Sequence, residues 1–182
     1  MRKLIESTFV TLDGTISAPE QWGPPYWDSE HSAHAHKLLF GADALLLGRE
    51  TYESFAQTWP AMDDEYGKRI NGMPKYVASR TLQNSETTWN ATILGGDVAA
   101  EVAELKQQPG QDILKFGTGV LDHTLLEHGL VDELHLWLFP VIAGSGQRIL
   151  DGLVTTHLTL AETTTFSSGI VVAVYEPKSG AM

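Results

Sequence analysis

The segment Ala44-Leu45-Leu46-Leu47-Gly48-Arg49-Glu50-Thr51-Tyr52-Glu53 restricts the fold more than any other in the chain. Apolar residues run straight into a glycine, and an amphipathic stretch then continues through Phe55 to Trp59. That order predicts a buried strand turning sharply into a helix, with Arg49 and Thr51 in the first helical turn. A first turn presents unpaired backbone N–H groups and the positive end of the helix dipole, so it attracts anions. Gly48 permits close approach to the backbone, and Arg49 adds a bidentate donor suited to phosphate. Taken alone, the same residues also describe an ordinary turn with a surface arginine.

The strand–helix unit recurs. Short apolar runs at Lys3–Leu12, Lys75–Ser79, Ala91–Leu94 and Ile113–Phe116 read as strands closed by Asp13-Gly14, Ser79-Arg80-Thr81, Gly95-Gly96 and Gly117-Thr118-Gly119. Asp28 caps a helix expected to reach Phe40, Asp97 caps one bearing Val98, Val102 and Leu105, and the Gly117 turn opens one bearing Leu121, Leu125 and Leu126. Repeated β-α units imply parallel strands with helices on both faces. Val131–Val141 reads as a long strand, and Leu158–Thr164 with Ile170–Tyr175 as a closing antiparallel pair. Met62–Asn71 is polar and reads as a short excursion. Residues 17–27 carry Trp22, Tyr26 and Trp27 among prolines, which suits a lid over the core or the wall of a flat-ligand pocket. No linker or repeat divides the chain, so residues 1–182 are expected to form a single domain.

Charge and composition narrow the function. The net charge of -11, from 12 Lys and Arg against 23 Asp and Glu, argues against a nucleic-acid partner. It leaves room for a small anion held by a few converging cations. The absence of cysteine removes thiolate catalysis and Cys-based zinc sites and suits a reducing cytoplasm, the expected location. Glu6, Ser7 and Thr8 interrupt any signal-peptide core, and the run Leu136–Ala143 falls well short of the roughly 20 residues a membrane helix needs.

Three strand ends thus share a phosphate-cradling chemistry: Gly48-Arg49-Glu50-Thr51, Ser79-Arg80-Thr81 and Gly117-Thr118-Gly119. In an open α/β sheet, ligands collect beyond the carboxyl ends of the strands. Neither the Gly-x-Gly-x-x-Gly nor the Walker pattern is present to explain these turns. His31, His34 and His36 lie close together and invite a hydrolase reading, and His31 with His34 share a helix face that could suggest a metal, but no third ligand on that face is evident and no metal is expected. Asp63-Asp64-Glu65 reads as a solvated face. Trp22, Trp27 and Trp59 suit either stacking on a ring substrate or core packing.

Taken with Phe9-Val10-Thr11-Leu12-Asp13-Gly14-Thr15-Ile16, Leu130-Val131-Asp132-Glu133-Leu134 and Phe139-Pro140-Val141-Ile142-Ala143-Gly144-Ser145-Gly146, these motifs resemble the dihydrofolate reductase-like superfamily. The branch they resemble is the reductase domain of the riboflavin-biosynthesis deaminase–reductase. The resemblance implies a three-layer αβα fold around a mixed, mostly parallel sheet of about eight strands with an antiparallel C-terminal end. It implies NADPH lying across the strand ends: Gly48, Arg49 and Thr51 on the 2′-phosphate and diphosphate, Ser79, Arg80 and Thr81 on the adenosine 2′-phosphate side, and Gly117, Thr118, Gly119 and Val120 on the diphosphate. Leu12 and Ile16 would pack near the nicotinamide. Asp13 is the candidate for a catalytic contact, and Trp22, Trp27, Asp28 and His31 for the substrate end, where a flat heterocycle or ribosylated pyrimidine would sit. An NADP-binding protein without turnover is the alternative. Leu136-Trp137-Leu138-Phe139 offers apolar surface for a homodimer.

Overall fold

A computed structural model describes residues 1–178, the Ser85 side chain excepted. In chain order the elements are β1 (Leu4–Thr11), α1 (Pro19–Trp22), α2 (Ser29–Phe40), β2 (Ala42–Gly48), α3 (Arg49–Thr58), α4 (Glu65–Gly72), β3 (Lys75–Ala78), β4 (Ala91–Leu94), α5 (Val98–Gln107), β5 (Asp112–Phe116), α6 (Val120–Glu127), β6 (Glu133–Phe139), β7 (Leu158–Thr165) and β8 (Val171–Pro177). They build one eight-stranded sheet in the order β4-β3-β2-β5-β1-β6-β8-β7. The first six strands in that order run parallel, while β8 pairs antiparallel with both β6 and β7. This is the mixed, mostly parallel sheet that the sequence predicts.

Side-chain alternation in β2 explains the layers. Successive strand residues point to opposite faces. Ala44 and Leu46 join Leu4, Ile113, Val102, Leu105 and Leu125 beneath α5 and α6. Leu45 and Leu47 join Leu39, Ile70, Val77 and Leu114 beneath α2, α3 and α4. Leu45, Leu46 and Leu47 are all fully buried, each contributing roughly 1.5–3 kcal/mol by leaving water. A third cluster, around Trp137, Phe139, Phe166, Ile170 and Val172, continues the α2 side beneath Trp22 and Tyr26.

Two expectations need correction, and one connection adds a contact between distant segments. Met62–Asn71 is not an excursion: Glu65–Gly72 forms α4, with the Asp64 carboxylate accepting from the Gly67 N–H at 2.6 Å. Its polar average hides Tyr66, Ile70 and Met73, which follow helical spacing into the core. Asp64 caps this helix while staying exposed together with Asp63 and Glu65, so the solvated face also carries the cap. The expected strand Val131–Val141 shrinks to Glu133–Phe139. Its apolar character belongs largely to a strand inside the sheet, because Trp137 and Phe139 are buried under α2 while Leu136 and Leu138 stay half-buried on the other face. Finally, the connection between β6 and β7 folds back onto the exit of β1. Ile16 N–H donates to Gln147 O at 2.9 Å, Ile149 N–H to Gly14 O at 2.8 Å, and Thr15 bridges Arg148. Gly146 is required at this crossing, because a Cβ there would fall 2.4 Å from Ser17 Oγ and 2.6 Å from Thr15 Cγ2.

Candidate functional site: a cleft across four strand ends

Register fixes the geometry of the site. Gly48 pairs with Ala78 and Ala78 with Leu94, so β2, β3 and β4 end level, with β5 alongside. Beyond these ends lies a cleft of about 600 Å³, walled by Gly48–Thr51, Ala78–Arg80, Leu94–Val98 and Lys115–Asp122, with Thr124 and Gln147. The structure thus brings Gly48, Arg49, Thr51, Ser79, Arg80, Gly117, Thr118, Gly119 and Val120 into one site. The sequence reading missed Gly95-Gly96-Asp97, which forms the fourth wall. The same glycine-then-helix signal was present there.

The three helix starts at the cleft are not equivalent. At α5, Asp97 accepts from Ala100 N–H at 3.2 Å and Glu101 from Gly96 N–H at 2.8 Å, so carboxylates already satisfy that end. At α6, Asp122 accepts from Gly119 N–H at 2.5 Å. The start of α3 has no side-chain cap, and no atom lies within 4 Å of where a Cβ on Gly48 would sit. That leaves α3 as the open anion-attracting end. Arg49 stands over it, oriented by Glu53 (Nε to Oε1, 2.8 Å) and by Thr81 (Nη1 to Oγ1, 2.6 Å). Thr81 therefore positions Arg49 and does not itself line the cleft. Ser79 Oγ accepts from the Thr81 and Leu82 N–H groups and shapes the turn that carries Arg80. Arg80 is exposed and makes no salt bridge among the described residues.

Gly117 holds φ +72°, which favours glycine, and puts the turn beside Thr51 Oγ1. The Thr118 hydroxyl is buried without a hydrogen-bond partner, and Gly119 has open space above its Cα. An orphaned hydroxyl and glycine backbones open to a cleft are what a bound diphosphate would complete, so the residues fit such a group. Beneath the turn lies a buried charged triad. Lys115 Nζ contacts Asp122 Oδ1 at 2.7 Å, Glu6 Oε2 at 4.0 Å and Gly117 O at 2.5 Å, and all three side chains are almost wholly buried. Burial drives the Glu6 carboxyl well above its ordinary pKa; Lys115 opposes the shift and Asp122 adds to it.

At the expected substrate end, the Asp13 carboxylate is engaged within the chain. It accepts from Thr11 Oγ1 (2.5 Å), Ala143 N–H (3.0 Å) and Gly144 N–H (2.7 Å), clamping the 143–144 segment to the β1 exit. These bonds, from Thr11 first, lower its pKa to about 2, so it is a loop anchor and a poor acid. A group depressed in this way contributes stability above its unfolded pKa near 3.8, and that stability is lost as pH falls toward 2. Asp13→Asn is accordingly expected to remove part of the wild-type loss of stability between pH 5 and pH 3, read by urea unfolding at each pH. A variant and wild type with equal acid sensitivity would contradict the clamp.

Asp28 caps α2 by accepting from His31 N–H at 2.9 Å. Trp22 donates to Ser17 O at 3.0 Å and packs edge-on against Phe139, while Trp27 is 45% exposed and stacks on His31. His31 and His34 are wedged against Trp137, with pKa values lowered by burial. His36 instead stacks on Phe40, toward Tyr66. The three histidines thus pack against aromatic rings on two separate surfaces. Leu12 and Ile16 lie outside the cleft lining, on the β1 exit that forms its border. A second cavity, about 410 Å³, opens across that border and is lined by Ser17, Ala18, Gln21, Trp22, Val141–Ala143, Ser145 and Gly146.

A mixed sheet with its cleft at the carboxyl ends of parallel strands, between glycine turns and helix starts, defines a dihydrofolate reductase-like α/β protein. Residues 2–172 match the RibD C-terminal domain, and the chain belongs to that family. It is 33% identical to YyaP of Bacillus subtilis over 181 residues, covering 96% of this chain and 94% of that one. Its fold is similar to that of a Shewanella sp. PV-4 protein named for riboflavin biosynthesis (TM-score 0.73, 21% identity, 98% and 99% of the two chains). It is also similar to the Thermotoga maritima diaminohydroxyphosphoribosylaminopyrimidine deaminase/5-amino-6-(5-phosphoribosylamino)uracil reductase (TM-score 0.67, 15% identity), where it covers 97% of this chain and 57% of that one. No described helix is long and apolar enough to cross a membrane.

Proposed function

We propose that this chain is a cytoplasmic NADPH-dependent reductase of small heterocycles. The observation that carries the reading is the pair Arg49 and Arg80 on adjacent strand ends, beside the uncapped start of α3. Adjacent strands lie about 4.8 Å apart, so two guanidinium groups one strand apart can converge on one dianion, and a 2′-phosphate rewards them where a ribose hydroxyl does not. Gly48, Thr51 and the Gly117–Val120 turn then receive the diphosphate. Leu12 and Ile16 border the nicotinamide end. When bound, the nicotinamide supplies a hydride for a C=N or C=O bond. The chain's share is to hold the reacting groups in line and keep bulk water out. The proton comes from water or from an acid other than Asp13, which is ionised and engaged. A homodimer would cover the half-buried Leu136 and Leu138 face.

Titration with NADPH, followed through quenching of the five tryptophans, is expected to saturate. Steady-state oxidation of NADPH over pteridines and diaminopyrimidine derivatives then separates an enzyme from a binding protein without turnover. Absence of both quenching and thermal shift would sink the nucleotide reading.

A further inference from the structure

One ion pair holds the Gly117 turn from beneath. Lys115 Nζ donates to Gly117 O at 2.5 Å. Asp122 accepts from Gly119 N–H at 2.5 Å, and its other oxygen meets Lys115 Nζ at 2.7 Å. These bonds bracket Thr118, whose buried hydroxyl has no partner in the chain. Lys115 and Asp122 both reach the lining of the cleft, so an anion received by this turn feels their charge directly.

Glu6 is the third member, and the ion pair leaves it no donor. Lys115 spends two of its three N–H groups on Asp122 and Gly117 O. Its Nζ stands 4.0 Å from Glu6 Oε2, beyond hydrogen-bonding distance. Both Glu6 oxygens are buried without a partner, and the residue is fully enclosed. Across the sheet its register partners are Lys115 on β5 and Leu134 on β6. Lys115 and Asp122 are the charged groups that act on it, while Arg49, Glu50, Arg80 and Asp97 belong to the walls of the cleft above. A carboxylate enclosed without a donor takes up a proton in preference to staying ionised. The hydroxyl so formed finds an acceptor in Asp122, which lies within its reach.

We propose that Glu6 is a positioning residue for the nucleotide's diphosphate, acting through a proton that it holds beneath the Gly117 turn and donates to Asp122. This role rests on the nucleotide reading of the cleft. With the proton in place, Lys115 and Asp122 balance each other and hold the turn ready for an anion. Without it, the three side chains carry one net negative charge under the diphosphate, and Lys115 is drawn from Gly117 O toward a second carboxylate. Nucleotide binding and protonation of Glu6 therefore favour each other, and by reciprocity binding takes up a proton from solvent.

NADH and NADPH are titrated into wild type and Glu6→Gln by tryptophan quenching from pH 5 to pH 9. The substitution keeps the size of Glu6 and, like its protonated form, is neutral with a donor for Asp122. Dividing each wild-type affinity by that of the variant at the same pH cancels the titration of the 2′-phosphate and of the cleft walls. That ratio is expected to fall about tenfold as pH rises. It should fall alike for both nucleotides, which share the diphosphate, whereas Arg80→Ala separates them. Calorimetry of NADPH binding in two buffers of unlike ionisation enthalpy, within the falling range, is expected to show wild type taking up more protons than Glu6→Gln. A flat ratio with equal proton uptake in the two proteins would overturn the role of Glu6 and leave the nucleotide reading intact. A ratio that falls for NADPH alone would also overturn it, because the proton would then act on the 2′-phosphate. Binding of neither nucleotide to either protein at any pH would strike the nucleotide reading, and the role of Glu6 with it.

Discussion

Arg80→Ala and Arg49→Ala are each expected to weaken NADPH binding by roughly 10- to 100-fold while moving NADH by less than about threefold, since one charge-assisted hydrogen bond contributes about 1.5–3 kcal/mol. Tryptophan quenching with the two nucleotides in parallel measures the difference directly. The two substitutions should not be equivalent. Arg80 is exposed and makes no salt bridge among the described residues, so its truncation removes a phosphate partner and little else. Arg49 is already fixed by Glu53 and Thr81. Its loss also releases those two groups, and a freed Glu53 carboxylate beside the cleft should add repulsion toward any anion. Arg49→Ala is therefore expected to cost NADH somewhat more than Arg80→Ala does. Screening shortens the reach of exposed charges to about 10 Å at 0.1 M salt, so the NADPH preference should shrink as salt rises. Equal losses of NADPH and NADH in both variants would refute the assignment of these arginines to a 2′-phosphate.

Local pattern carried most of the fold. Ala44–Glu53 could be read because the alternation of Ala44 and Leu46 against Leu45 and Leu47 and the glycine-to-helix turn are properties of neighbours in sequence. The cleft was legible for the same reason: each wall is a short motif, and parallel strands bring motifs at one end of the sheet together. What was not legible depends on strand order. Lys115 sits in an apolar run and Glu6 in another, two mid-strand charges of opposite sign. That they meet is a consequence of β1 lying beside β5, where Glu6 and Lys115 are register partners. The fate of Asp13 was hidden likewise. An Asp-Gly turn gives no sign that residues 143–144, more than a hundred positions away, will return to occupy its oxygens. Helix α4 was obscured by a polar average, although the spacing of Tyr66, Ile70 and Met73 already showed the buried stripe.

The triad under the Gly117 turn should dominate stability. Lys115→Met removes the cation from between Glu6 and Asp122, both fully buried. Breaking a buried pair in this way costs about 3–5 kcal/mol, a fall in Tm of roughly 6–20 °C for a chain of this size. The methionine also leaves Gly117 O without its Lys115 partner, so NADPH affinity should drop even at temperatures where the variant is folded. Replacing the carboxylates as well tests the cause: Lys115→Met with Glu6→Gln and Asp122→Asn should recover most of the lost Tm, because no uncompensated charge then remains. The pH dependence has a definite sign. Because burial raises the folded-state pKa of Glu6, its favourable contribution is complete below the unfolded value near 4.5 and fades as pH rises through the folded value. Glu6→Gln alone should flatten that decline, measured as urea unfolding free energy between pH 5 and pH 8. A Lys115→Met protein melting within about 2 °C of wild type would show instead that the buried carboxyls need no cation.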